Sequence, residues 1–164
     1  MLTDPEIVER ESLPYAYIAF SVPMSEIASA APDGFSRFFN LLDAAGIEPA
    51  GPAFMNYRRM NMAGSIDFEI GAEVEAAGDG AHGLSFGILP GGAYGRLVWT
   101  GPYDKLVDAN AALISWAEAE GIAWDSEQTS EGEVFACRLE IYETGPMDDP
   151  DPQTWTTEVA IKIG

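Results

Sequence analysis

The chain has 164 residues, a formal net charge of −19 and 47% hydrophobic residues. That apolar content suits one compact core, or two half-size modules sharing one, and so acidic a field argues against a groove for phosphate backbones. A single cysteine, Cys137, excludes an intrachain disulfide; without an apolar run of bilayer length or an apolar leader, no membrane contact or signal peptide is expected, and the expected compartment is the cytoplasm.

Taken in chain order, Ile7 to Ser12 and Tyr15 to Val22 alternate as strands, with a break at Leu13-Pro14. Pro32 to Ala45 has helical spacing, with Phe35, Phe38, Phe39 and Leu42 on one stripe and Gly46 as its stop. Ala53 to Arg59 and Ile66 to Val74 predict two more strands, and Gly78 to Gly83 a linker between halves. The order then repeats. Leu84 to Leu89 and Ala93 to Thr100 predict strands, and Pro102 to Glu120 a helix that places Leu106, Ala109, Leu113, Trp116 and Ala117 on one stripe and ends at Gly121. Val134 to Glu143 and Trp155 to Ile163 complete the set, separated by a loop rich in Pro, Asp and Gly.

Leu13-Pro14 matches Leu89-Pro90, Ala44-Ala45-Gly46-Ile47 matches Ala119-Glu120-Gly121-Ile122, and Phe68 to Val74 aligns with Thr157 to Ile163. Recurring in one order, these matches predict an α+β fold of tandem βαββ repeats, residues 1–77 and 84–164, in a single domain. The repeats would share one antiparallel sheet with helices on one side, leaving a seam suited to a ligand pocket.

Strand alternation assigns faces. A continuous strand from Phe135 would turn Phe135, Cys137, Leu139 and Ile141 toward the helices, and Arg138, Glu140 and Tyr142 toward the helix-free face. Asp67, Glu69, Glu73 and Glu158 would also face away from the helices; Tyr57 would share a face with Arg59, and Tyr94 with Arg96. A groove of aromatic walls around a carboxylate suits an amphipathic cation. Glu140, mid-strand between Leu139 and Ile141, is the candidate charge. Cys137 is expected to be a buried strand thiol, His82 a loop residue with no metal partner, and no metal or cofactor is expected.

Leu89-Pro90-Gly91-Gly92-Ala93-Tyr94-Gly95, then Trp99-Thr100-Gly101-Pro102-Tyr103, then Arg138 to Pro146 and the closing Thr157-Glu158-Val159 resemble, in this order, the GyrI-like small-molecule-binding domains, which also serve as effector domains of AraC-type and MerR-type regulators. The resemblance covers nearly the whole chain and is densest from Leu84 onward. It implies a concave pseudo-twofold sheet, helices on its convex side, and a groove for lipophilic, often cationic, compounds. It maps the family's central carboxylate onto Glu140, its tyrosine onto Tyr103 and its helix tryptophan onto Trp116. Thr100 departs from the family pattern, where histidine is frequent, and no helix-turn-helix module is evident.

The expected function is capture of an amphipathic, cationic or lipophilic organic ligand, for drug sensing or sequestration, by Glu140, Tyr57, Tyr94, Tyr103, Trp116 and Tyr142. Core packing is the competing reading for Trp116. One alternative implied by the resemblance is a hydrolase of strained cyclopropane-type electrophiles, with Glu140 and Glu69 as catalytic carboxylates. Another is an acidic, gyrase-inhibitor-like interaction protein. A homodimer through apolar edges at Phe54 or Trp124 is a further expectation.

Overall fold

In the computed structural model, β1 (Glu6–Arg10) and β2 (Leu13–Pro23) follow one another in the chain but do not pair. Glu11 and Ser12 between them offer none of the Gly or Asn of a tight hairpin turn. β1 instead crosses to the other half and pairs with β6 (Gly92–Thr100), Ile7 opposite Gly95. β5 (Ser85–Leu89), which precedes β6, makes the reverse crossing and pairs with β2, Leu13 opposite Leu89. The two Leu-Pro dipeptides of the sequence repeat therefore meet across one strand pair. The description covers residues 1–61, 63–78 and 83–164, so His82 and most of the expected linker lie outside it.

The other strands are β3 (Ala53–Met60), β4 (Ser65–Glu73), β7 (Ser126–Thr129), β8 (Gly132–Phe135), β9 (Arg138–Tyr142) and β10 (Thr156–Lys162). They form a ten-stranded sheet in the order β1-β6-β10-β9-β3-β4-β2-β5, with β8 branching onto β3 and β7 onto β8. All pairings are antiparallel. The path is symmetric about the seam where Met55 of β3 faces Glu140 of β9: β4 and β10 hold equivalent places, as do β2 and β6.

α1 (Ile27–Ala45) and α2 (Leu106–Glu120) cover the same face of the sheet, the convex side of its curl. α1 begins before the expected Pro32, because Ile27 and Ala31 also find core to pack against. Pro32, in the second turn, forfeits one backbone hydrogen bond and does not break the helix. Phe38 and Leu42 are buried, but Phe39 is 46% exposed and lies off the stripe. Gly46 and Gly121 end the helices in the left-handed region, at φ 68° and 70°. The polar β7 carries no apolar alternation, so the sequence predicts no strand over Ser126–Thr129.

The concave, helix-free side is packed at its centre, with a pocket of about 220 Å³ beside Leu13, Phe54, Leu89 and Leu139. Tyr15, Phe54, Leu89, Tyr94, Cys137, Leu139 and Ala160 form a buried cluster there. Phe54, paired with Ile141 and only 3% exposed, therefore lies mid-sheet and offers no edge for a dimer. Trp124 is half-buried against Gly95. Among the described residues, no helix is long and apolar enough to cross a membrane.

Candidate functional site

The side chains that gather around Glu140 are placed by two breaks in strand phase. The strand expected from Val134 to Glu143 is interrupted after Phe135. There the Ala136 N–H donates to the Asp125 carbonyl at 2.9 Å, and the Cys137 carbonyl accepts from the Lys162 N–H at 3.0 Å. Phe135 packs under α2, but beyond the break Cys137 and Leu139 join the helix-free cluster. Arg138, Glu140 and Tyr142 consequently turn toward the helices, opposite to the sequence expectation, since each residue added to or lost from a strand exchanges its faces. In β3 the register slips between Tyr57 and Arg59. Tyr57 stays on the helix side, and Arg59 turns away to grip Asp67, Nε to Oδ2 at 2.9 Å. Tyr57 and Arg59 therefore do not share a face.

Glu140, 7% exposed, occupies the seam between the helices. Its Oε1 accepts from the Tyr57 hydroxyl at 2.9 Å and the Tyr142 hydroxyl at 2.8 Å, and its Oε2 accepts from the Asn110 side-chain amide of α2 at 2.9 Å. The Asn110 Oδ1 accepts from Arg138 Nη2 at 3.3 Å, so the nearest guanidinium is held one residue removed from the carboxylate. Among the described residues, Glu140 has no ion-pair partner within 4.0 Å. A buried carboxylate ringed by neutral donors keeps its hydrogen bonds but not a neutralising charge. Burial, then the Glu140 charge, raises the Tyr57 and Tyr142 hydroxyls well above the ordinary tyrosine value, so both remain proton donors.

An aromatic wall encloses this group. Phe35 of α1 meets Tyr142 edge-on at 5.5 Å, Tyr103 meets the same ring at 5.6 Å, and Trp155 packs on Tyr103 at 4.7 Å. Burial and Asp148 raise the Tyr103 hydroxyl. The structure thus brings together Glu140, Tyr57, Tyr142 and Tyr103 of the expected residues. It adds Asn110, Phe35 and Trp155. Asn110 has a legible signal, a weak helix former inside a helix beside the buried Ala109; the sequence places Phe35 on the helix stripe and Trp155 at a strand start, with nothing to mark either for the site.

Tyr94 and Glu69 lie elsewhere. Tyr94 sits on the helix-free side, its hydroxyl donating to the Pro90 carbonyl at 2.6 Å. Glu69 is held on that same side by the Tyr15 hydroxyl at 2.6 Å and Asn56 Nδ2 at 3.1 Å. With the sheet between them, Glu69 and Glu140 cannot act on one substrate atom. Trp116 packs in the α2 cluster over Gly95, whose missing Cβ would stand 3.1 Å from its ring.

A family model for the GyrI-like small molecule binding domain matches residues 3–163. The chain belongs to this family. Among solved structures, the GyrI-like chain resembles the EcmrR C-terminal domain at 21% identity and a TM-score of 0.73, covering 98% of this chain and 97% of that one. It spans 57% of the EcmrR chain solved in a DNA complex. SAV2435, solved bound to tetraphenylphosphonium, is similar at 14% identity and a TM-score of 0.62, covering 99% and 94%. A hydrolase from Listeria innocua aligns at 11% identity and a TM-score of 0.60, covering 98% and 91%. No curated protein matches the sequence significantly.

Proposed function

We propose that this GyrI-like domain captures lipophilic organic cations, sensing or sequestering them, with the positive centre over Glu140. The observation that carries this reading is the buried Glu140 carboxylate, hydrogen-bonded by neutral donors alone and enclosed by Phe35, Tyr103, Tyr142 and Trp155. Aromatic faces attract a desolvated cation, and the carboxylate supplies the counter-charge without a native cation to displace. A neighbour of the same fold is solved with tetraphenylphosphonium, a cation of this class. Entry requires the Phe35, Tyr103 and Tyr142 rings to part, since their edge contacts close the site.

Calorimetric titration with tetraphenylphosphonium tests the reading. Saturable binding is expected, weakened about tenfold or more in Glu140→Gln, equivalent to about 1.4 kcal/mol. Equal affinity in the wild type and Glu140→Gln would remove the charge argument. Glu140 with its protonated phenols also has the elements of a base and acid pair, as a hydrolase of strained electrophiles needs. That reading loses its second carboxylate, because Glu69 faces the other way. Product formation from a cyclopropane-bearing electrophile, rather than binding alone, would favour it.

A further inference from the structure

Arg138 is a buried cation with no direct ion pair among the described residues, on which the Glu140 and Glu133 charges act only from a distance. It is 8% exposed, and among the described residues it has no carboxylate within 4.0 Å. Among the described residues its one side-chain hydrogen bond is the long 3.3 Å contact to Asn110, and its Nε has no partner. The guanidinium lies 4.9 Å over the ring of Phe135, which offers some compensation. A half-satisfied buried guanidinium is costly in a native structure. Arg138 also lines a pocket of about 340 Å³ at the outer edge of α2, together with Ile114, Trp124, Phe135, Glu118 and Glu133. None of these five residues takes part in the contacts around Glu140 described above.

The lining specifies a ligand. A planar guanidinium with free N–H groups recognises a carboxylate in forked geometry. A simple anion, however, would meet Glu118, Glu133 and the field of a −19 chain. A molecule that carries both a carboxylate and an ammonium escapes that repulsion and offers each glutamate a partner. Trp124, Phe135 and Ile114 provide an apolar surface for its body, and the volume is near the lower limit for a small-molecule site. We propose that this pocket binds a zwitterionic aminocarboxylate with an aromatic or similarly apolar side chain, its carboxylate on Arg138 and its ammonium toward Glu133 and Glu118. Arg138 is linked to Glu140 through Asn110, but the pocket opens on the other side of it and the proposal does not rest on the cation assignment.

Titration of the full chain with L-phenylalanine, 3-phenylpropanoate and phenethylamine separates the contributions. L-phenylalanine is expected to bind saturably and at least about tenfold more tightly than either single-charge analogue. Arg138→Met should abolish the binding, and Glu133→Gln should weaken it about tenfold. Ile114→Trp fills the cavity from its rim, and should also abolish binding should Arg138→Met fail to fold. Absence of L-phenylalanine binding to folded wild type, or binding retained in both Glu133→Gln and Ile114→Trp, would overturn the proposal.

Discussion

Glu140 shows how a charged residue is tolerated in a sheet interior. Its oxygens are satisfied by Tyr57, Tyr142 and Asn110, which come from β3, β9 and α2, so the carboxylate ties both halves of the molecule together. Each donor thereby has a structural role besides any part in binding. Tyr57→Phe removes one phenol while keeping the ring, and is expected to destabilise the fold by about 1–3 kcal/mol, the usual cost of leaving a buried acceptor short of a donor. A urea melt would show this as a lower midpoint at unchanged slope. An unchanged midpoint would mean that Tyr57 contributes packing alone.

At the scale of elements, the two crossovers that exchange β1 and β5 between the halves pass in contact. A Cβ on Gly91 would stand 2.9 Å from the Ser12 nitrogen and 3.2 Å from the Arg10 carbonyl oxygen. Only glycine lets the β5–β6 connection approach the β1–β2 connection so closely. Both obstacles are backbone, so neither can swing aside as a flexible side chain would. Gly91→Ala should therefore cost about 1–3 kcal/mol through overpacking, measurable by chemical denaturation, although the substitution touches neither pocket. A neutral result would show that the crossovers can separate without loss of pairing.

Over the whole molecule, 27 acidic residues stand against 8 basic ones. Five of the eight basic residues, Arg58 with Glu69 among them, take part in ion pairs among the described residues. Arg10 and Arg96 both reach Glu158, Arg96 also reaches Glu6, Arg59 holds Asp67, and Lys162 meets Asp125. What remains is a surplus of negative charge that repels itself across the surface. Screening should relieve that repulsion by more than it weakens the exposed pairs. Raising NaCl from about 20 mM to about 500 mM, a change in screening length from tens of ångströms to a few, is expected to raise the thermal midpoint. A falling midpoint would mean that the ion pairs outweigh the net repulsion. The same surplus favours the approach of cations to the Glu140 seam.

The amino-acid sequence by itself determined the order of elements, the glycine-terminated helices, the twofold recurrence of Leu-Pro and of Phe68 to Val74 in Thr157 to Ile163, and Glu140 as a charge in need of a reason. These are local or periodic properties, written in hydrophobic spacing and turn residues. Only the tertiary structure decided which face Glu140 occupies. Strand alternation carries the face correctly as long as the strand is unbroken; the interruption after Phe135 reverses it for Glu140, and the slip between Tyr57 and Arg59 parts those two side chains. Pairing with distant partners imposes both irregularities: Ala136 bonds to Asp125, and β4 opposes Arg59 with Asp67. The exchange of β1 and β5 was hidden for the same reason, because strand partners chosen across the whole chain leave little mark on local composition.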